Sequence, residues 1–271
     1  MSICRSNSAM MWRILVIISC GICSLLWGLP AAMAFQSSQP SQSTQNTADH
    51  LWHIVGTGYR PGTQEVLFYE YHRLSFDEQG SIQTRHVEYR LPDHTLKSVK
   101  TIDYSSGNSW TPSFSYEDLQ AGYRVGVEVD AGFGRLYRES KGEAYEETRL
   151  SISELTVIDA GFDAFIQKVW PRLTQKEDVL FSIFAPLKLD QYDFSIRMVQ
   201  RVENQCHLEM SLDWWPVELF ISPVQLEYDC DTQRLLRYQG ITNLRDNNLD
   251  QYTVDIHYQW FSDYLPFRVT E

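Results

Sequence analysis

The side chains most able to do chemistry in this chain are few and poorly spaced for it. His50 and His53 form the only close histidine pair. Zinc takes ligands that are presented together, and a strand does not bring residues i and i+3 to one face, so no metal is expected there. Cys206 and His207 are adjacent. Neighbours in a strand point to opposite faces, which makes them a poor nucleophile and base; a bridged cysteine beside a surface histidine is expected instead. Glu65 with Glu70, or Asp190 with Asp193, has the residue types of a glycosidase acid pair. Nothing in the spacing sets a working separation, so solvated surface is the expectation, for them and for Glu70-Tyr71-His72 and Asp93-His94. No G-x-S-x-G elbow and no phosphate-cradling glycine loop follows a strand and opens a helix; Gly56 to Gly62 precedes a strand instead. These readings predict a protein without catalysis, metal or cofactor.

The elements that would position any site are mostly strands. The exception is Asp159 to Leu173, where Phe162, Phe165, Ile166, Val169 and Leu173 recur at i, i+3, i+4, i+7 and i+11. That stripe predicts an amphipathic helix with one buried face. Asp159 has the side chain of an N-cap, Asp163 adds charge near the positive end of the dipole, and Pro171 predicts a stop or kink near Trp170.

Around it the chain alternates. A strand at Leu51 to Val55 ends at the Gly56-Thr57-Gly58 and Pro61-Gly62 turn signals, and a meander follows over Glu65 to Leu74, Ile82 to Leu91 and Thr95 to Tyr104. In the first of these, Val66, Phe68 and Leu74 lie on one parity and Leu67, Tyr69 and Tyr71 on the other, so both faces carry large side chains. Ser105 to Gln120 reads as a long loop. Strands return at Gly122 to Asp130, in a hairpin of Arg135 to Ser140 with Ala144 to Ile152, and after the helix at Asp178 to Leu187, Tyr192 to Val202 and Gln205 to Leu212. Trp214 to Phe220 is a turn broken by Pro216. Val224 to Tyr228, Arg234 to Tyr238 and Tyr252 to Trp260 complete the set, the last two joined at Asp246-Asn247-Asn248. About ten strands and one helix predict a mainly β fold: one large, curved antiparallel sheet, a half-barrel, packed around the helix.

The N-terminus reads as a leader. Arg5 and Arg13 precede an apolar run from Ile14 to Leu29, then Pro30 and the small-residue end Ala32-Met33-Ala34. This predicts a secretory signal, residues 1–34, cleaved after Ala34, and a periplasmic protein. Two alternatives keep the chain on the membrane. Ile17-Ile18-Ser19-Cys20 resembles the lipobox of bacterial lipoproteins, although the residues after Cys20 stay apolar to Ala34, and Ile14 to Ala34 is nearly long enough for an uncleaved anchor. Residues 35–49, rich in Gln, Ser and Thr, read as a disordered linker, leaving 50–271 as a single β-rich domain.

Removing the leader takes two of 23 basic residues and none of 35 acidic ones, for a net charge of −14. So acidic a body repels phosphate backbones and anionic headgroups, so nucleic acid is not an expected partner. It also takes Cys4, Cys20 and Cys23, leaving Cys206 and Cys230, each twelve residues from Glu218. If the strand before that point folds back on the strand after it, the two face each other, and a disulfide worth about 3 kcal/mol is expected.

Two runs carry a resemblance. Asp159-Ala160-Gly161-Phe162-Asp163 with Phe165 and Trp170, and Leu226-Glu227-Tyr228-Asp229 with Arg234 to Asn243, resemble uncharacterised exported proteins of Gram-negative bacteria, over roughly residues 65 to 260. The arrangement is more distantly similar to the periplasmic lipoprotein carriers, half-barrels whose sheet and helix enclose an apolar groove; this likeness implies architecture, and function does not follow from fold. Two non-enzyme functions are therefore weighed, with a hydrolase acting in the periplasm as a further alternative. One is a structural or interaction protein of the cell envelope, its aromatics forming a filled core and its partner another envelope protein. The other is a carrier for an apolar ligand such as a lipid or lipoprotein, its groove lined by Phe162, Phe165, Trp170, Phe181, Phe184, Trp214, Trp215 and Phe220.

Overall fold

A computed structural model describes residues 52–213, 222–245 and 251–261, all within one compact unit spanning Thr44–Glu271. The strands are β1 Ile54–Tyr59, β2 Val66–Phe76, β3 Ile82–Arg90, β4 Leu96–Asp103, β5 Ser113–Asp118, β6 Tyr123–Asp130, β7 Phe133–Ser140 and β8 Glu146–Ser151. They continue as β9 Thr156–Val157, β10 Val179–Ala185, β11 Asp190–Val202, β12 Gln205–Leu212, β13 Val224–Asp229, β14 Leu235–Arg245 and β15 Gln251–Trp260. Among the described residues one α-helix, α1, covers Phe162–Thr174. Short 3-10 turns sit at Asp159–Gly161 and Pro186–Lys188. Among the described residues no helix is long and apolar enough to cross a membrane.

All fifteen strands belong to one sheet, in the order β8-β7-β6-β5-β4-β3-β2-β1-β15-β14-β13-β12-β11-β10-β9. Sequence neighbours pair except β8 and β9, which stand at opposite edges; among the described residues the one ladder between strands distant in sequence is β1 with β15. The chain thus lays down two meanders, β1 to β8 and β9 to β15, joined along that ladder. The sheet ends at β8 and β9 and does not close. Pairing is antiparallel except between β9 and β10. Two parallel strands need a crossover connection, and α1 supplies it.

Alternation places the core. On β2, Phe68, Glu70, His72 and Leu74 are buried; on β3, Arg85, Val87 and Tyr89 are. One apolar cluster fills the first meander with Phe68, Val87, Ile102, Phe114, Val127 and Leu136. The second packs Phe165, Ile166, Val169 and Leu173 of α1 onto Phe181, Ile196, Leu208 and Leu226. Each fully buried side chain of this size contributes about 1.5–3 kcal/mol.

The sheet curls strongly enough for both meanders to reach α1. Asp163, in its first turn, meets Arg85 of β3 and Tyr228 of β13. Far along the second meander, the 186–188 turn packs on β6 and β7, where Arg138 donates to the Leu187 carbonyl over 2.7 Å.

Several sequence expectations are corrected. Among the described residues fifteen strands replace about ten. Ser105 to Gln120 is not all loop: β5 begins directly after Pro112, where a strand tolerates the missing N–H. Gly56 and Gly58 lie in β1 rather than in a turn, because a Cβ on Gly58 would stand 2.6 Å from the Phe68 ring and one on Gly56 2.9 Å from that of Tyr258. The N-cap of α1 is Gly161; Asp159 opens the preceding 3-10 turn and sends its carboxylate to Lys100. Pro171 does not stop the helix near Trp170. Three more residues follow, because Leu173 is fully buried and the last turn is closed by the Gln175 and Lys176 N–H groups. The leader, the linker, the 214–220 turn and the 246–248 turn lie outside the described residues.

Candidate functional site

The inward faces of β2 and β3 carry charge where apolar residues would ordinarily stand. Glu70, His72 and Arg85 are all buried, on the same parity as Phe68, Leu74 and Val87. Arg85 Nε donates to His72 Nδ1 at 3.0 Å, and His72 Nε2 lies 3.2 Å from Glu70 Oε2. The same Glu70 oxygen accepts from the Tyr258 hydroxyl of β15 at 3.1 Å. On the other side, Arg85 Nη1 is 3.7 Å from Asp163 Oδ2, and Asp163 Oδ1 accepts from the Tyr228 hydroxyl at 3.1 Å. Beside this chain Lys100 Nζ sits 2.7 Å from Asp159 Oδ2. Two cations, three carboxylates and two tyrosines from β2, β3, β4, β13, β15, the 159–161 turn and the start of α1 therefore share one interior region.

Burial sets their protonation. It pushes the His72 pKa down to about 4, assisted by the Arg85 cation and opposed by Glu70. Burial raises the Asp163 pKa, against the pull of Arg85 and Tyr228. Tyr104 is pushed up to about 12 by burial, with Arg85 working the other way. Unpaired buried charge is costly, and each charge here has a hydrogen-bonded or opposite-charge neighbour. The arrangement ties α1 to both meanders.

The groove candidates divide. Phe162, Phe165, Trp170 and Phe181 meet in the helix cluster, with ring centroids 4.9 Å apart for Phe165 and Phe181 and 5.9 Å for Phe162 and Phe181; Trp170 stands edge-on to Tyr228. Phe184 belongs to the other cluster, against Gly134 and Val127. Trp214, Trp215 and Phe220 lie outside the described residues. Two surface concavities are lined mainly by polar residues: about 500 Å³ beside Glu117, Arg124, Glu139 and Lys141, and about 190 Å³ beside His207, Glu227 and Arg237.

Cys206 and Cys230 form a disulfide, with Cα atoms 5.3 Å apart. The ladder sets Cys206 opposite Tyr228, so Cys230 stands just past the end of β13 rather than directly across. Of the other residues considered for chemistry, His50 lies outside the described residues, and His53 Nδ1 accepts the Leu74 N–H. Glu65 pairs at the surface with Arg60, away from buried Glu70. Asp193 accepts from Ser182, and Asp190 from the Gln191 N–H. Among the described residues no three of His, Cys, Asp or Glu converge as a metal site.

The Glu70–His72–Arg85–Asp163 group was not anticipated from the sequence. Its one local signal was parity: Glu70 and His72 alternate in phase with Phe68 and Leu74, as Arg85 does with Val87 and Tyr89.

No family model and no curated protein sequence matches the chain. Among solved structures it is similar to the β-barrel-like protein of the domain of unknown function DUF1849 from Brucella abortus, with a TM-score of 0.38 and 7% identity, covering 78% of this chain and 98% of that one.

Proposed function

We propose that this chain is an exported, non-catalytic protein of the cell envelope that works by contact with other envelope proteins. The observation carrying the reading is the Cys206–Cys230 bridge inside an apolar cluster. Such bonds persist in oxidising compartments, and the leader ending at Ala34 has the composition that directs a chain to one. Packing favours interaction over carriage. The rings of Phe162, Phe165 and Phe194 each lie within 6.0 Å of Phe181, so aromatic side chains occupy the space between α1 and β10 to β11. The charged cluster occupies the N-terminal end of α1.

The test is native mass spectrometry of protein from the periplasmic fraction, with solvent extraction of anything it carries. A mass beginning at Phe35, an intact bridge and no apolar companion agree with the proposal. A stoichiometric lipid or other apolar molecule overturns it in favour of a carrier. A cytoplasmic protein with two reactive thiols overturns export.

A further inference from the structure

β8 ends the sheet, and among the described residues it is hydrogen-bonded to β7 alone. Its residues, Glu146 to Ser151, include no proline or lysine, and its ladder with β7 runs without a bulge. Those are devices by which edge strands avoid pairing with another chain. What remains on the edge is charge, and its pattern is specific.

One hydrogen bond settles which backbone groups face outward. The Ile152 N–H donates to the Gly132 carbonyl at 2.9 Å. Antiparallel ladders alternate, so Leu150, Thr148 and Glu146, opposite Gly134, Leu136 and Arg138, also turn their N–H and C=O toward β7. Glu147, Arg149 and Ser151 turn theirs outward.

Arg149 is the one arginine on β6 to β8 with no carboxylate partner among the described residues. Arg124 pairs with Glu139, Arg135 with Glu128 and Glu147, and Arg138 with Glu146. The Arg149 guanidinium instead lies 4.1 Å over the ring of Phe133, itself 39% exposed.

Consider a second β8 approaching antiparallel. Outward-facing residues must meet outward-facing residues. Setting 147 against 147 opposes two glutamates; setting 149 against 149 opposes two arginines. One register alone, centred on Thr148, sets Glu147 opposite Arg149, and its symmetry makes that pair twice, with all four side chains on the exposed face. We propose that β8 is a self-pairing edge: two copies of this chain join antiparallel through β8 about a twofold axis at Thr148, Glu147 of each facing Arg149 of the other. Two narrow pairs then exchange backbone hydrogen bonds, and opposite charges directly across a ladder add to them. The interface is isologous and small, so the dimer is concentration-dependent.

Sedimentation equilibrium from about 1 µM to about 1 mM tests this, the range expected for a small interface. Wild type is expected to dimerise. Arg149→Glu or Glu147→Arg alone is expected to weaken dimerisation at least about tenfold, because both cross-strand pairs become repulsive. Mixing the two single variants restores association as a heterodimer, since one then presents two arginines and the other two glutamates. If Glu147→Arg, which loses its Arg135 contact, does not fold, Arg149→Gln serves, with an expected loss of about threefold or more. Wild type monomeric throughout, a dimer indifferent to Arg149→Glu or Arg149→Gln, or folded single variants that stay apart when mixed would each overturn the proposal.

Discussion

Arg85 Nε donates to His72 Nδ1 across 3.0 Å, between adjacent strands and with both side chains buried. A guanidinium only donates, so Nδ1 is the acceptor and the proton of neutral His72 sits on Nε2, facing Glu70. A permanent charge is thereby fixed against a titratable ring.

This contact predicts acid sensitivity. His72 titrates near 4 in the fold, against 6.5 when unperturbed. Below about pH 6.5 the unfolded chain takes up a proton that the native protein refuses, so stability falls as pH drops toward 4, by about 3 kcal/mol in all. Asp163, with a raised pKa, has the opposite sign: the folded state binds its proton first, which favours the fold as pH falls through that group's range. Urea midpoints across the window are expected to decline in wild type and to flatten in His72→Gln, whose amide can accept from Arg85 and donate to Glu70. Equal slopes would contradict the assignment.

Arg85→Met is expected to cost about 3–5 kcal/mol, because it leaves the Asp163 carboxylate buried without its cation and His72 Nδ1 without its donor. Adding Asp163→Asn should cost less in that background than in wild type, with a coupling of at least about 1 kcal/mol. Denaturant unfolding of the four proteins measures it, and strict additivity would show that Arg85 and Asp163 do not interact across their 3.7 Å.

Replacing Cys206 and Cys230 together by Ala is expected to lower stability by about 3 kcal/mol, for a bridge across a sequence separation of 24. Urea unfolding of the double variant against wild type checks this. A midpoint shift absent under non-reducing conditions would mean the bridge contributes nothing to the fold.

Gly58→Ala is expected to cost about 1–3 kcal/mol, since its Cβ would stand 2.6 Å from Phe68 Cζ. Phe68→Leu should recover part of that loss while costing stability on its own. Thermal melts of the three variants show whether the smaller ring makes room; no recovery would place the clash elsewhere.

How much was legible follows from the range of each interaction. The helix was readable from one stripe, since Phe165, Ile166, Val169 and Leu173 repeat at the helical period and all four are buried. Its ends were not: Asp159 is drawn to Lys100, 59 residues back, rather than to the first-turn amides. On β2 both parities carry bulky side chains, so the pattern announced a strand without saying which side was inside. The glycines of β1 carry a turn signal in the sequence, and their place in a strand depends on Phe68 and Tyr258, which lie against them.

By itself the sequence determined a β-rich body with one amphipathic helix, an acidic surface and a pair of cysteines placed to bridge, because periodicity, composition and separation along the chain are local or additive properties. The tertiary structure alone decided that β1 lies beside β15, that α1 serves as the crossover between β9 and β10, and that Glu70, His72, Arg85 and Asp163 meet. Tyr228 reaches Asp163 from 65 residues away and Tyr258 reaches Glu70 from 188. Such contacts depend on register and on the curl of the whole sheet, and no stretch of chain encodes either until its partner strands are in place.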